Sequence, residues 1–121
     1  IIVAHEVARA LRVKSIFAER QDGKMALRRG FKLAVGAKVL VVEDVVTTGG
    51  SVKEVLAIVR EVGAVPIGVG AIVDRSGGQA DFDGLPFHSL LQVDIETYEP
   101  ESCPLCAQGL PWEKPGSRES K

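Results

Sequence analysis

The sequence predicts an α/β fold built on a parallel β-sheet. Residues 39–42 form a continuous apolar run rich in β-branched side chains, which is typical of a strand buried on both faces of a parallel sheet. An amphipathic helix is predicted over residues 52–62, and a second apolar run follows over residues 67–73. Strand, helix and strand in this order form a βαβ unit, whose crossover is right-handed in nearly all known cases.

Composition limits the size and class of the protein. The 121 residues are 45% hydrophobic and 26% charged, the balance of one soluble domain with one core. With 15 basic and 16 acidic residues the net charge is −1, so we expect no nucleic-acid partner and no anionic membrane partner. No apolar run reaches the roughly 18–20 residues of a membrane span. Two cysteines form no disulfide framework and no signal peptide is recognisable, so a cytoplasmic location is expected.

The two ends of the chain differ from its middle. The first residue is Ile1, the only methionine is Met25, and the opening residues look like the interior of an element. We therefore expect the C-terminal part of a longer reading frame, with a processed mature protein as the alternative. Residues 1–98 are predicted to belong to a core domain. Residues 99–121, rich in proline and glycine, are predicted to form an irregular C-terminal tail.

Before the βαβ unit the elements are predicted to be short. Apolar residues at helical spacing predict an amphipathic helix from about Ala4 to Leu11. Residues 15–18 fit a short strand. The charged stretch 19–30 contains turn formers and has no clear period, so it is interpreted as a mobile loop or a loose hairpin. Residues 31–35 alternate apolar and polar side chains.

Within and after the unit, the boundaries follow from capping signals. Ser51 with Glu54 three residues later fits a capping box at the start of the helix. Gly63 stands where a glycine commonly ends a helix. A further strand is predicted from Phe87 to Tyr98, after which the tail begins.

The segment that joins the first strand to the helix is the candidate site. Glu43 and Asp44 follow the apolar run, and Thr-Thr-Gly-Gly-Ser at 47–51 opens the helix. Ligands of open α/β sheets bind at the carboxyl ends of the strands, and a helix N-terminus binds phosphate through unpaired N–H groups. Gly49 and Gly50 let a ligand approach the backbone closely. A phosphate site beside two carboxylates suits a ribose phosphate, whose hydroxyls donate to the acids. The alternative is an ordinary tight turn beside two solvated acids.

Residues 39–51 resemble the phosphoribosyl-pyrophosphate (PRPP) motif of type I phosphoribosyltransferases. Nearly the whole chain is similar to bacterial orotate phosphoribosyltransferases, and the matching segments are 17–20, 28–31, 73–75, 101–106 and 114–118. The resemblance implies a Rossmann-like parallel-sheet core that here lacks its first elements. It also implies transfer of a phosphoribosyl group from PRPP to orotate, which gives orotidine 5′-phosphate and pyrophosphate in pyrimidine biosynthesis.

The resemblance assigns a role to each matching position. Glu43 and Asp44 would contact the ribose, Asp44 also acting in catalysis, and Thr47 would contact orotate as well as PRPP. The implied PRPP contacts are Glu43, Asp44, Val45, Val46, Thr47, Thr48, Gly49, Gly50 and Ser51, the last four of them around the 5-phosphate.

Three cations receive roles from the same resemblance. Arg75 would hold the orotate ring or its carboxylate, and the alternative is a surface ion pair with Asp74. Arg20 and Lys24 would act in catalysis from a mobile loop that covers pyrophosphate. Arg28 or Arg29 could take the place of Lys24.

The family also implies partners and limits. Mg²⁺ would arrive bound to PRPP, with no metal site of the protein itself, and the mobile loop would reach a neighbouring subunit's site in a homodimer. Because the family's pyrophosphate-binding turn should precede Ile1, we expect these 121 residues alone to be inactive. Two alternatives stay open: a related transferase of different base specificity, including a competence-type relative, and a non-catalytic PRPP-sensing regulatory module. Arg75 separates the first from orotate specificity, because neutral purines need no cation.

Cys103 and Cys106 form a Cys-x-x-Cys pair in the tail. A zinc site needs four ligands, and the two histidines do not supply them at a suitable spacing. A redox role would place the pair at the start of a helix in a thioredoxin-like context, which the pattern does not indicate. The pair is therefore interpreted as structural thiols.

Overall fold

The computed structural model describes residues 1–96, 98–99 and 101–110. Its elements are α1 (Ile2–Leu11), β1 (Ala18–Gln21), β2 (Lys24–Leu27), β3 (Lys38–Val46), α2 (Gly50–Glu61), β4 (Val65–Asp74), β5 (Phe87–Gln92) and α3 (Pro104–Ala107). The strands form a two-stranded sheet, β1-β2, and a three-stranded sheet in the order β3-β4-β5.

The three-stranded sheet is parallel throughout, which confirms the predicted α/β class. Strand β4 pairs with β3 on one side and with β5 on the other. Val46, Asp74 and Gln92 stand in register across the carboxyl ends of the three strands. The Arg75 N–H donates to the Val46 carbonyl at 2.8 Å, so the segments that follow β3 and β4 start side by side.

The core lies between α2 and one face of this sheet. Val52, Leu56 and Val59 fall on one stripe of α2 and are buried. They pack in one cluster with sheet and loop residues, the others being Val41, Val46, Ala64, Val69, Ala71 and Phe82. Helical spacing on one side and β-branched strands on the other therefore produce the core that the periodicity predicts.

Helix α2 ends as predicted but does not begin as predicted. At its C-terminus Gly63 has φ 75° and donates to the Arg60 carbonyl, while Ala64 donates to the Val59 carbonyl, which is a Schellman motif. At its N-terminus the cap is Gly49 with φ 76°, and no side chain caps the helix. The predicted capping box of Ser51 and Glu54 is therefore wrong.

The charged stretch 19–30 contains a true hairpin, so of its two interpretations the hairpin is confirmed. Ala18 pairs with Leu27 and Gln21 with Lys24 in the antiparallel pair β1-β2. Asp22 and Gly23 both have positive φ, 50° and 82°, as a type I′ turn requires. The strand predicted at 15–18 is wrong, because only its last residue, Ala18, belongs to a strand.

Three other boundaries differ from the sequence prediction. Strand β3 continues to Val46, so Glu43 and Asp44 lie within the strand. Strand β5 ends at Gln92, short of the predicted Tyr98. The tail contains one helical turn, α3, with Cys103 as its N-cap, so the expectation that the cysteine pair does not open a helix is wrong. Residues 111–121 of the predicted tail lie outside the described residues.

None of the helices in the described ranges is both long enough and apolar enough to cross a membrane.

Candidate functional site

A small open cavity lies where β3 passes into α2. Its volume is about 70 Å³, the space of a few water molecules. The lining consists of one carboxylate, strand residues and the whole turn: Glu43, Val45, Val46, Thr47, Thr48, Gly49, Gly50, Ser51 and Val52. Eight of the nine residues predicted to contact PRPP therefore line one cavity. The ninth, Asp44, is adjacent to Glu43 and lines a separate cavity with residues 1–4 and 42–43.

Backbone donors surround this cavity. The first N–H to bond within α2 is that of Lys53, which donates to the Gly49 carbonyl at 2.9 Å. The N–H groups of Gly50, Ser51 and Val52 precede it and have no carbonyl partner in the helix. Together with the positive end of the helix dipole, they form a site that favours an anion.

Gly49 gives the turn its shape. Its φ of 76° is unfavourable for any residue with a Cβ atom. A Cβ here would also lie 2.8 Å from Cε1 of Phe82, a residue that is 1% exposed. Phe82 in turn packs edge-on against Phe87, the first residue of β5, with ring centroids 5.1 Å apart. The turn therefore packs directly against the core, and only glycine fits at this position.

The pKa values of the two acids of β3 are shifted in opposite directions. The Asp44 N–H donates to Glu43 Oε1 at 3.0 Å, and the Val45 N–H donates to Asp44 Oδ1 at 2.8 Å. Burial, together with the hydrogen bond shared with Asp44, raises the pKa of Glu43. The hydrogen bonds from Glu43 and from the Val45 N–H lower the pKa of Asp44. As pH falls, Glu43 accepts a proton first and Asp44 keeps its charge.

A second turn, residues 75–80, follows β4 beside the cavity. Asp74 is 2% exposed, and its Oδ1 accepts from both the N–H and the hydroxyl of Ser76, at 2.8 and 2.6 Å. The Ser76 hydroxyl oxygen accepts from the Ala80 N–H at 2.8 Å, which closes the turn. The Asp74 carboxylate is thus engaged by Ser76, and the ion pairs of the described residues do not include Arg75. The exposed Arg75 side chain starts beside Thr47, since the Arg75 N–H is bonded to Val46.

The β1-β2 hairpin places Arg20 at the first turn of α2. Its guanidinium donates to both carboxylate oxygens of Glu54, at 2.8 and 3.1 Å, and reaches the Ser51 hydroxyl at 3.4 Å. Lys24, next to the hairpin turn, is exposed. Arg28 and Arg29, the alternatives to Lys24, both pair with Glu19.

The structure therefore brings most predicted site residues to one edge of the sheet, while their roles stay predictions. Sequence reasoning missed three supporting residues: Glu54, Ser76 and Phe82. Glu54 was noticed, but for a different bond. Ser76 carried one usable signal, because a serine two residues after an aspartate commonly forms such a turn. Phe82 carried none.

The acids of the site do not form a metal cage. In the portion of the chain described, no cluster of three or more histidine, cysteine, aspartate or glutamate residues could hold a metal ion. Mg²⁺ is commonly held by one or two carboxylates plus substrate phosphates, with waters completing its shell. Glu43 and Asp44 supply oxygen donors of this kind beside the anion site, so the residues fit an ion that arrives with a phosphorylated substrate.

Comparison with known families shows which family the chain belongs to. The family described as the phosphoribosyl transferase domain matches residues 3–99. The chain belongs to this family. The cavity between β3 and α2 lies within the residues that this family matches.

Relatives of the chain are much longer than it is. It is 61% identical over 118 residues to "Orotate phosphoribosyltransferase" of Caldanaerobacter subterraneus subsp. tengcongensis, covering 98% of this chain and 62% of the relative. It is 60% identical over 118 residues to the protein of the same name from Thermotoga maritima, covering 98% and 63%. The chain thus spans less than two thirds of the relatives it matches.

Solved structures support the fold of the chain. Adenine phosphoribosyltransferase from Rhodothermus marinus aligns with a TM-score of 0.59 at 18% identity, over 76% of this chain and 63% of that one. The enzyme of the same name from Thermoanaerobacter pseudethanolicus aligns with a TM-score of 0.56 at 16% identity, over 74% and 62%. At these identities the alignments establish a shared fold and carry no information on the base.

Proposed function

We propose that the protein transfers a phosphoribosyl group from PRPP to orotate, giving orotidine 5′-phosphate and pyrophosphate in pyrimidine biosynthesis. The observation that carries this proposal is the identity of about 60% to proteins named orotate phosphoribosyltransferase over nearly the whole chain. The cavity beside β3 supports it independently, because an anion site next to two carboxylates suits a ribose phosphate.

The 5-phosphate of PRPP is proposed to bind in the β3–α2 turn. The N–H groups of Gly50 and Ser51 and the hydroxyls of Thr48 and Ser51 would donate to its oxygens, with Gly49 allowing close approach. The cavity is open and small, which suits a terminal phosphate group rather than a whole nucleotide.

Glu43 and Asp44 are proposed to accept hydrogen bonds from the ribose 2- and 3-hydroxyls. Transfer breaks the bond between ribose C1 and pyrophosphate, and a bond forms between C1 and a ring nitrogen of orotate. Positive charge develops on the ribose in the transition state, and a carboxylate nearby stabilises it. Asp44, whose lowered pKa keeps it ionised, suits this role.

Thr47 and Arg75 are proposed to hold orotate. Their segments start side by side at the sheet edge, since the Arg75 N–H is bonded to the Val46 carbonyl. The exposed guanidinium has no carboxylate partner among the described residues, and orotate is an anion. A planar, bidentate donor is well suited to a carboxylate.

Arg20 and Lys24 are proposed to neutralise the leaving pyrophosphate from the hairpin. Mg²⁺ bound to PRPP would supply further positive charge on the phosphate oxygens. With the hairpin closed over the site, water is excluded and hydrolysis of PRPP is suppressed.

A homodimer and a cytoplasmic location belong to the same proposal. The dimer rests on the family resemblance of the hairpin, which implies that it reaches a neighbouring subunit's site. Molar mass from light scattering in solution tests it. The location rests on the substrates, because multiply charged phosphates do not cross a bilayer unaided.

A steady-state assay of the full-length protein tests the proposed function. PRPP and Mg²⁺ are supplied with orotate, uracil, adenine, guanine or hypoxanthine in turn. We expect pyrophosphate release with orotate, falling on the order of a hundredfold in kcat/KM in Arg75→Ala, the loss for a desolvated bidentate ion pair. Arg12→Ala, an exposed arginine at the end of α1, is the control. Turnover of another base contradicts orotate specificity. PRPP binding without any turnover supports the regulatory alternative.

A further inference from the structure

The two cysteines of the chain stand at the first turn of α3. Cys103 is the N-cap residue, and Cys106 is the third residue of the helix. The Ala107 N–H donates to the Cys103 carbonyl at 3.0 Å, so a backbone hydrogen bond closes the turn that carries both cysteines. Helical geometry places Cα atoms three residues apart at about 5 Å, and disulfides join residues whose Cα atoms are about 4.4–6.8 Å apart. The turn therefore holds the two cysteines at a distance that a disulfide can bridge.

Neither thiol takes part in the packing of the core. Both are free, Cys106 is exposed, and Cys103 is half-buried. The buried cluster of the described residues lies within 41–82 and contains neither of them. Buried structural cysteines are inert, whereas reactive ones are at least partly exposed. The packing therefore gives no support to the interpretation of the pair as structural thiols, and the accessibility of both thiols favours a chemical role.

The two thiols differ in acidity. The Cys106 N–H and thiol, together with the Leu105 N–H, lower the pKa of Cys103, because hydrogen-bond donors favour the thiolate. The hydrogen bond shared with Cys103 raises the pKa of Cys106. Since the thiolate is the nucleophile in thiol–disulfide exchange, Cys103 is suited to attack first and Cys106 to follow it.

A metal centre is the other role that a Cys-x-x-Cys pair commonly takes. Zinc has four ligands in structural sites, and the pair supplies two. In the described ranges no group of three or more histidine, cysteine, aspartate or glutamate residues can hold an ion. Two thiols are sufficient for a disulfide without further ligands, so the arrangement favours exchange over metal binding.

We propose that Cys103 and Cys106 form a reversible dithiol–disulfide site whose reaction partners are low-molecular-weight disulfides, with Cys103 as the attacking thiol. The Cys103 thiolate attacks one sulfur of a disulfide RSSR, the S–S bond breaks, and RS⁻ leaves. Cys106 then loses its proton to solvent and attacks the Cys103 sulfur of the mixed disulfide, which expels the second RS⁻. Two protein thiols are thereby oxidised to one disulfide, and RSSR is reduced to two thiols. An excess of thiol reverses both steps.

This site is separate from the proposed function, because neither cysteine lines the cavity between β3 and α2.

Oxidised glutathione is the probe that tests the exchange. The reduced full-length protein is incubated with it, quenched with N-ethylmaleimide and digested with trypsin. Cleavage after Arg75 and Arg118 gives a peptide, residues 76–118, that contains both cysteines. We expect this peptide to lose the mass of two hydrogen atoms and to carry no maleimide, and dithiothreitol should restore both thiols. A peptide with maleimide or glutathione on both cysteines, or a disulfide that resists dithiothreitol, would overturn the proposal.

Single serine variants test the order of attack, and each is the matched control for the other. Cys106→Ser should stop at the mixed disulfide, with one glutathione on Cys103. Cys103→Ser should form its mixed disulfide about tenfold more slowly at neutral pH, because Cys106 has the smaller thiolate fraction. Equal rates, or a faster reaction in Cys103→Ser, would show that Cys103 is not the attacking thiol. The double variant gives the background from any other thiol of the full-length protein.

Metal analysis of the full-length protein, purified without chelators, separates exchange from metal binding. We expect no zinc bound to the pair. Zinc that copurifies, disappears in Cys103→Ser and protects the thiols from oxidised glutathione would overturn the proposal in favour of an ion shared between copies of the chain. Orotate and PRPP enter none of these measurements. Failure of the proposed function therefore leaves the exchange result unchanged, and failure of the exchange leaves the proposed function unchanged.

Discussion

At the scale of single residues, the shape of the candidate site depends on a glycine as much as on its polar side chains. Gly49 occupies a position where positive φ and contact with a buried ring coincide. The sequence predicted that a glycine here lets a ligand approach the backbone. It could not predict the second constraint, because Phe82 is 33 residues further along the chain and only the folded structure brings its ring against the turn.

Gly49→Ala is expected to destabilise the protein more than a glycine substitution with strain alone. Positive φ costs a non-glycine residue about 1–2 kcal/mol, and the 2.8 Å approach to Phe82 adds about 1–3 kcal/mol of overpacking in the core. Gly36→Ala is the matched control, because Gly36 also has φ 76° but a Cβ there meets nothing within 4 Å.

Urea unfolding of both variants, followed by far-UV circular dichroism, gives the free energies of unfolding to compare. The difference between the two variants isolates the contact with Phe82. Equal losses in Gly49→Ala and Gly36→Ala would show that the ring moves aside without cost.

At the scale of elements, the periodicity of apolar residues predicted the helix and strands that pack in the core. It did not predict features that depend on contacts between residues far apart in the sequence. The helix over 52–62 and the strand over 67–73 were predictable because their apolar stripes face one core. The capping box was not realised, because Glu54 bonds to Arg20 and Met25 from a separate element. The early end of β5 had no local signal either.

The role of the turn after β4 can be tested by removing one hydroxyl group. Ser76 connects the buried Asp74 carboxylate to the Ala80 N–H, and Arg75 lies between the two bonded residues. Ser76→Ala removes both of these side-chain bonds and leaves one N–H bond to Asp74. We expect the KM for orotate to rise about fivefold to tenfold through a less ordered Arg75, with the KM for PRPP unchanged.

Steady-state kinetics with each substrate varied in turn measure this split in the full-length protein. Ser15→Ala is the control, because Ser15 is exposed and takes part in none of the side-chain hydrogen bonds of the described residues. A rise in the KM for PRPP as large as that for orotate would place the effect in the sheet edge as a whole rather than in Arg75.

At the scale of the whole molecule, the sequence predicted the order of elements better than their neighbours in space. A parallel sheet with α2 packed on it follows from the βαβ pattern. The docking of the hairpin against α2 does not, since hydrogen bonds across more than 30 residues have no local pattern. The candidate site combines the turn of the βαβ unit with contacts from the hairpin. The turn was predictable from the sequence, and the hairpin contacts were not.

The predicted division of the chain into a core and a tail leads to a prediction about its stability. Backbone hydrogen bonds of the described tail residues are local, as between Ala107 and Cys103 or Leu110 and Leu105. The buried cluster of the core lies within residues 41–82. Ending the chain after Tyr98 should therefore shift the midpoint of thermal unfolding by less than about 2 °C, since a loss of 1 kcal/mol would shift it by about 4 °C or more in a domain of this size. Differential scanning calorimetry of the intact and shortened proteins makes the comparison, and a fall of about 5 °C or more would show that the tail is part of the folded core.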